Sequence, residues 1–224
     1  MSILTNFDLI RRVPLFSMLT PAQGEMLAGS VGKRRYKRGE HIVEQGKKSD
    51  ALFIILAGRA RVVVTDARDR EVIIATLHPG DYVGEMSLID QEPHSATVAV
   101  EIQTDALVLA GDDFNRCLME NSSTVAAVMK VLVRRLRDAD RKIESLALLN
   151  VYGRVANVLL DRAPPNADNV RTIRDKISRQ DIAKMVGASR EMVSRVMKDF
   201  EEQGFVQTRE DGSLLIKELQ LQAR

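Results

Sequence analysis

The hydrophobic residues of this chain change their spacing near residue 121, and the change separates two kinds of folding unit. Between Arg35 and Leu109, short runs rich in valine and isoleucine alternate with turn-forming residues such as Gly58 and Gly80. Strands that recur about every 8 to 12 residues, with turns between them, are typical of a β-sandwich or barrel. The sequence therefore predicts that residues 1–120 form a β domain, preceded by short helices.

Beyond this point the apolar residues alternate spacings of three and four, which is the seam pattern of a two-stranded coiled coil. The seam positions are Met129, Leu132, Leu136, Ala139, Ile143 and Leu146. Charged residues flank a narrow apolar stripe, so we expect residues 121–149 to form a dimerisation helix. The alternative is an amphipathic helix that packs against its own domain.

The composition is that of a soluble globular protein with room for two cores. Of 224 residues, 45% are hydrophobic and 29% are charged, which argues against disorder. No apolar run approaches the length of a membrane span, and the amino terminus lacks a signal-peptide pattern. A single cysteine, Cys117, excludes an internal disulfide framework. We therefore expect a cytoplasmic protein with no membrane partner.

The charges are distributed unevenly along the chain. Residues 1–120 carry 14 Lys and Arg against 17 Asp and Glu, a net of −3, whereas residues 121–224 carry 19 against 14, a net of +5. A basic carboxy-terminal half is what a nucleic-acid-binding module shows, because neutralising phosphates supplies much of the affinity. Ordinary surface variation is the alternative explanation.

Residues 178–204 have the signals of two capped helices joined by a tight turn. Ser178 and Ser189 are candidate helix caps, and Gly187 ends the first helix. In the second helix one face is apolar, and the other presents Arg190, Glu191, Ser194, Arg195 and Lys198. This arrangement predicts a helix-turn-helix that binds double-stranded DNA, since Arg recognises guanine and Glu recognises cytosine. Capped amphipathic helix pairs also occur in proteins that do not bind DNA.

A hairpin signal follows the second helix. Asp211 and Gly212 lie between two short apolar runs, which predicts a β-hairpin and hence a wing. Residues 162–169 (RAPPNADN) interrupt the helical pattern and predict a loop. We assign residues 150–224 to one DNA-binding domain.

Three stretches of the chain resemble the catabolite activator/FNR family of transcription regulators. They are GDYVGEMSLID with HSATV, RRLRDADRKIESLALLNVYGRVANVLL, and SRQDIAKMVGASREMVSRVMKDFEEQG. The resemblance implies an α+β protein with an amino-terminal β jelly-roll barrel, a long dimerisation helix and a carboxy-terminal winged helix-turn-helix. It also implies a homodimer that reads a TGTGA-like palindromic site and contacts RNA polymerase. The DNA contacts implied are Ser178, Arg179, Gln180, Ser189, Arg190, Glu191, Ser194, Arg195 and Lys198.

The same resemblance implies a cyclic-nucleotide effector. Glu85 would accept the ribose hydroxyl, and the backbone from Gly84 onward would hold the cyclic phosphate. The residues implied at this site are Gly84, Glu85, Met86, Ser87, His94, Ser95 and Asp140.

Two positions depart from the pattern of family members that bind cyclic AMP. His94 stands where those members have an Arg, and neutral imidazole cannot form the two-pronged contact of a guanidinium. Ala139 and Asp140 stand where they have a Thr-Ser pair, and an ionised Asp140 suits guanine donors better than adenine. We therefore expect cyclic di-GMP, or cyclic AMP bound weakly, as the effector. Alternatives are a regulator that needs no ligand, and Asp140 as an ordinary surface charge.

Other functions of such a fold are disfavoured by the sequence. An iron–sulfur sensor needs several cysteines, and this chain has one. The three histidines His41, His78 and His94 are isolated, which predicts no haem site and no metal site. Motifs for nucleophilic catalysis and for phosphate-binding loops are absent, so we do not expect an enzyme. A cyclic-nucleotide module that does not bind DNA is a third possibility, and the Arg190/Glu191/Arg195 set argues against it.

Overall fold

The computed structural model of the chain describes residues 5–11, 13–163, 171–175 and 177–217. It divides into two compact units, Met1–Arg137 and Asp138–Arg224, and the division falls inside the longest helix. Of the loop predicted at 162–169, residues 164–169 lie outside the described residues.

The first unit combines one antiparallel sheet with helices that precede and follow it, and with one further helix between its last two strands. Its helices are α1 (Asn6–Arg11), α2 (Pro21–Ser30), α3 (Glu85–Asp90), α4 (Gly111–Glu120) and the first part of α5 (Ser122–Leu148), with a short 3-10 turn at Pro14–Phe16. Its strands are β1 (Val31–Tyr36), β2 (His41–Val43), β3 (Ala51–Thr65), β4 (Glu71–Leu77), β5 (Tyr82–Val83) and β6 (Thr97–Ala110).

Two long strands, β3 and β6, form the centre of this sheet. They pair antiparallel from Ala51↔Ala110 to Val63↔Thr97, and β1 and β4 flank them in the order β1-β6-β3-β4. The short strands β2 and β5 pair with β6 and β3 respectively. Among the described residues this strand path does not close into a continuous barrel, and the long bent strands give the unit its jelly-roll character.

The sequence predicted two strands where the structure has one. Two of the apolar runs, FIIL and RVVV, both belong to β3. At Gly58, which lies between them, the strand bends and continues. Gly58 has φ +93°, and a Cβ there would come within 2.3 Å of the Gln103 carbonyl oxygen. The pairing with β6 shifts register around this point. A β-bulge thus absorbs the change of direction without ending the strand.

Alternation along the two long strands builds two separate cores. Leu52 and Ile54 pack with the helices, in a cluster that also contains Phe114 of α4 and Val128 of α5. Phe53 and Ile55 point to the other side of the sheet and form the interior of the jelly roll. The cluster there also includes Tyr36, Leu77, Val98 and Val100. Because successive side chains of a strand face opposite sides, a single strand can serve both cores.

Helix α5 leaves most of its predicted seam uncovered in the single chain. Leu136 is 61% exposed and Ile143 is 64% exposed, and Met129 and Leu146 are similarly open. Leu132 differs, because it packs against the helical core of its own unit. The exposed apolar side of α5 therefore includes Val125 and Val133 and leaves out Leu132, so it is slightly rotated from the predicted stripe.

The second unit contains helices and a small sheet. The helices are α6 (Val151–Arg162), α7 (Arg179–Val186) and α8 (Arg190–Glu202), and the strands are β7 (Arg171–Ile173), β8 (Val206–Thr208) and β9 (Leu214–Ile216). The strands pair antiparallel in the order β7-β9-β8. The predicted hairpin is present, with Thr208 opposite Leu214, and β7 adds a third strand that the sequence did not indicate. The predicted α+β class, a jelly roll followed by a winged helix-turn-helix, is confirmed.

Candidate functional site

The first candidate site is the segment that joins β5 to α3. Gly84 lies between them with φ +100°, a left-handed conformation that favours glycine. A Cβ at this position would come within 2.4 Å of the Ala51 carbonyl oxygen on β3. The tight approach of the segment to β3 therefore depends on glycine, and it fixes where α3 begins.

Glu85, the first residue of α3, is buried and paired with a cation from α5. Its carboxylate is 1% exposed and accepts a hydrogen bond from the Arg135 guanidinium. Arg135 also donates to the Tyr82 carbonyl oxygen, and its guanidinium lies 5.3 Å from the centre of the Tyr82 ring. Burial raises the pKa of Glu85, and the positive charge of Arg135 opposes that rise.

Arg135 is the site residue that the sequence reasoning missed. By its spacing it belongs to the charged residues that flank the apolar stripe, whereas its side chain is only 34% exposed and bonds Glu85 and the Tyr82 carbonyl. The sequence signal is the seven-residue spacing from Val128 to Arg135, with Val131 and Leu132 between them. Val128 is buried in the helical core, Val131 and Leu132 pack against that core, and Arg135 follows Val128 by two helical turns on the same side.

His94 lies in a bridge between two serine hydroxyls. Its Nε2 is 2.7 Å from the Ser49 Oγ and its Nδ1 is 3.0 Å from the Ser87 Oγ. The His94 backbone amide donates to the Lys47 carbonyl at 2.9 Å, and its carbonyl accepts from the Gly46 amide at 2.8 Å. The side chain is 8% exposed, and burial lowers the pKa of the imidazole, which favours the neutral form at pH 7.

This bridge changes what the predicted nucleotide residues can do. Ser87 is buried and bonded to His94, whereas Ser95 and Met86 are exposed. A cavity of about 310 Å³ adjoins the bridge and is lined by Lys48, Ser49, Asp50, Ser87, Leu88, Gln91 and Glu92. The structure thus brings Gly84, Glu85, Ser87 and His94 together around α3. Asp140 is exposed on the part of α5 that belongs to the second unit.

The second candidate site is formed by α7 and α8. The Ser178 hydroxyl accepts from the Asp181 amide at 3.0 Å, and the Ser189 hydroxyl accepts from the Met192 amide at 3.1 Å, so both serines cap helices as predicted. Gly187 ends α7 in the left-handed conformation. The four predicted apolar residues of α8 are buried: Val193, Val196, Met197 and Phe200.

The opposite face of α8 is exposed and carries the predicted polar residues, namely Arg190, Glu191, Ser194, Arg195 and Lys198. Hydrogen bonds at the helix start, from its own backbone amide and from Ser189, lower the pKa of Glu191. Glu191 is therefore ionised at neutral pH and can accept a hydrogen bond from a base. Lys198 forms a 3.6 Å ion pair with Glu202 one turn later.

Arg179, another predicted DNA contact, is held inside the unit. Its guanidinium lies 3.4 Å from the Glu201 carboxylate, which also accepts from the Thr208 hydroxyl at 2.9 Å. This network connects the start of α7, the end of α8 and the first strand of the wing. Gln180, beside it, is exposed.

The described part of the chain offers neither a cluster of metal ligands nor a membrane-spanning helix. It contains no group of three or more His, Cys, Asp or Glu side chains placed to hold a metal ion. None of its helices is long and apolar enough to cross a membrane.

Residues 33–121 match the sequence family described as a cyclic nucleotide-binding domain, and residues 153–222 match the Crp-like helix-turn-helix domain. The cAMP-activated global transcriptional regulator Vfr of Pseudomonas aeruginosa is 35% identical over 180 residues, which are 78% of this chain and 84% of that protein. The chain belongs to the CRP/FNR family.

Other members of the CRP/FNR family are similar along most of the chain. The cyclic AMP receptor protein of Thermus thermophilus is 31% identical over 193 residues, 86% of this chain and 88% of that protein. The solved structure of the c-di-GMP responsive regulator CLP of Xanthomonas campestris has a TM-score of 0.77 at 23% identity, covering 89% of this chain and all of that one. The chain is thus a DNA-binding transcription regulator, and the named relatives are regulators, not enzymes.

Replacing Arg135 by glutamine tests the buried pair. Without the guanidinium, the pKa of Glu85 in the folded protein should rise further above its unfolded value. The folded state then binds more protons than the unfolded state, so the free energy of unfolding falls as the pH rises between the two pKa values. We expect the variant to lose about 2–3 kcal/mol of unfolding free energy relative to wild type, less than for a fully buried pair, with the larger loss as the pH is raised from acidic to neutral.

The measurement is the thermal unfolding midpoint as a function of pH. Arg134→Gln is the matched control, because Arg134 is the exposed neighbour on the same helix and loses the same charge. Wild-type and Arg135→Gln curves that run parallel across this pH range would show that Glu85 does not depend on Arg135.

Proposed function

We propose that the protein is a homodimeric transcription regulator that reads a TGTGA-like palindromic DNA site and responds to a cyclic nucleotide. The observation that carries the proposal is the α8 helix, capped at Ser189 and exposing Arg190, Glu191 and Arg195 on one face. A helix of this kind fits the major groove, where Arg can bond guanine O6 and N7 and Glu can bond cytosine N4. RNA polymerase is a further proposed partner, because the named relatives are transcriptional regulators.

The homodimer is supported by the open apolar stripe of α5. Leucine, isoleucine, methionine and valine side chains line one side of the helix, and a stripe of this length on a 27-residue helix is typical of a protein interface. Two copies of α5 would cover each other's stripe. Two-fold symmetry would then place the two α8 helices in successive major grooves about 34 Å apart.

Charges placed in the stripe should separate the dimer. The variant Leu136→Glu with Ile143→Glu changes two exposed residues and avoids Leu132, which packs in its own unit. We expect sedimentation of this variant as a monomer and of wild type as a dimer. The control Lys130→Glu with Arg134→Glu places carboxylates on the other side of α5 and should leave the dimer intact. A dimeric Leu136→Glu/Ile143→Glu protein would place the interface elsewhere.

Replacing Arg190 by alanine tests base reading. Each good base contact contributes about 1–3 kcal/mol of discrimination. We therefore expect Arg190→Ala to weaken binding to a duplex with two inverted TGTGA half-sites, and to change binding to a scrambled duplex little. Fluorescence anisotropy measures both affinities. Lys198→Ala is the comparison variant, since a phosphate contact weakens both duplexes alike. Equal losses on both duplexes for Arg190→Ala would assign it to phosphate instead.

The effector proposal follows from the two departures at the nucleotide site. With neutral His94 held between Ser49 and Ser87, a cyclic phosphate has no fixed cation at that position. Losing one charge-assisted hydrogen bond costs about 1.5–3 kcal/mol, or about one to two decades of affinity. We therefore propose weak binding of cyclic AMP. Cyclic di-GMP is the leading candidate, because Asp140 can accept from guanine and Arg137 lies one turn away on α5.

Calorimetry at neutral pH with cyclic AMP, cyclic GMP and cyclic di-GMP tests the effector. We expect cyclic AMP to bind no tighter than micromolar, and Asp140→Ala to weaken cyclic di-GMP by about one decade. Glu144→Ala is the control, as another exposed carboxylate of α5. Sub-micromolar binding of cyclic AMP would contradict this proposal.

A regulator that needs no ligand is the second candidate. It is favoured by the pairing of Glu85 with Arg135, because the predicted ribose acceptor already has a cationic partner within the chain. Absence of binding by every nucleotide, together with tight binding to the palindromic duplex, would select this second candidate.

A further inference from the structure

Asp199 lies on α8 one turn after Arg195, where its carboxylate could pair with the Arg195 guanidinium. Residues four apart on a helix lie on the same side, and an Arg and an Asp so placed can form an ion pair. Arg195 is exposed and forms no ion pair with any residue that the structure describes. Asp199 is half-buried and has a different partner. The Asp199 carboxylate is therefore bonded to a group other than Arg195, the cation one helical turn before it.

The partner of Asp199 is Tyr152, at the start of α6. The Tyr152 hydroxyl donates a hydrogen bond to the Asp199 Oδ2. The hydrogen bond to Asp199 is the largest cause of the raised pKa of Tyr152, so the hydroxyl keeps its proton at neutral pH. The positive charge of Arg195, one turn before Asp199 on α8, acts on the pKa of the same hydroxyl in the opposite direction.

The ring of Tyr152 is fixed by aromatic packing. It meets Phe200 of α8 edge to face, with centroids 6.0 Å apart and an angle of 78°. Phe200 meets Phe205 in the same way at 4.9 Å and 73°. The Asn150 side chain caps α6 by accepting from the Gly153 amide at 3.0 Å, and this fixes the backbone on which Tyr152 lies. The hydroxyl is thus presented to Asp199 at a defined place.

We propose that Tyr152 is a positioning residue for DNA specificity: its hydroxyl holds the Asp199 carboxylate and so leaves the Arg195 guanidinium available to a base. This inference rests on the proposed function, in which Arg195 reads guanine. Without the hydroxyl, Asp199 would pair with Arg195, and Arg195 would have to break that ion pair before contacting DNA. Tyr152 itself touches no base in this account.

Tyr152→Phe removes the hydroxyl and retains the ring that packs on Phe200. The full chain is measured without nucleotide, with excess cyclic AMP and with excess cyclic di-GMP, each on the duplex with two inverted TGTGA half-sites and on a scrambled duplex of equal length. The readout is the ratio of the two dissociation constants. We expect discrimination to fall about two- to five-fold, the range of a solvent-exposed ion pair. The net charge is unchanged, so the salt dependence of binding should stay as in wild type.

A second substitution separates competition from packing. Asp199→Asn, added to Tyr152→Phe, replaces the carboxylate by a neutral amide that forms no ion pair with Arg195. We expect the double variant to regain wild-type discrimination and Asp199→Asn alone to keep it. Tyr152→Phe with undiminished discrimination would overturn the inference. So would a double variant that discriminates as poorly as Tyr152→Phe, because the ring environment would then be the cause.

Arg195→Ala, measured beside these variants, separates this inference from the proposed function. If Arg195→Ala discriminates as wild type does, Arg195 does not read a base, and both the proposed reading and this inference fail. If Arg195→Ala loses discrimination and Tyr152→Phe does not, only the role of Tyr152 is wrong. Thermal unfolding of each variant shows whether the second unit remains folded.

Discussion

The contact between the Glu85 carboxylate and the Arg135 guanidinium links α3 to the long helix α5. A buried carboxylate is costly unless it is paired and hydrogen-bonded, and Arg135 provides both the charge and the donor. The Arg135 side chain can reach Glu85 only because Val128 and its neighbours pack α5 against the sheet. Any ligand that bonds Glu85 must therefore share this carboxylate with α5 or displace Arg135 from it.

At the neighbouring His94 bridge, the backbone and the side chain are held by separate sets of hydrogen bonds. The peptide that carries His94 is held by hydrogen bonds to Gly46 and Lys47, and these do not depend on the side chain. Only the ring differs from the arginine that the family resemblance implies, and it bonds Ser49 and Ser87. The backbone therefore holds this segment in place, and the side chain supplies a neutral imidazole where the resemblance implies a fixed positive charge. The proposal of weak cyclic AMP binding follows from that exchange.

In the second unit, hydrogen bonds within the unit determine which charged side chains remain available. Arg179 is paired with Glu201, and Asp199 is bonded to Tyr152, whereas Arg195 stays open on the surface of α8. Only a side chain that is not already paired can offer its full hydrogen-bonding capacity to DNA. The charged groups that α8 leaves unpaired are therefore determined as much by these internal contacts as by exposure.

The sequence alone determined the elements whose cause is local. Ser178 and Ser189 cap helices, and the apolar spacing of α8 sets its buried face, because these effects act within one or two turns. Tertiary structure decided what depends on residues far apart. The merging of two predicted strands at Gly58 required β6 as a partner, and the pairing of Arg135 with Glu85 joins residues 50 positions apart. Local spacing carries no information on such contacts, since they form only when packing brings distant segments together.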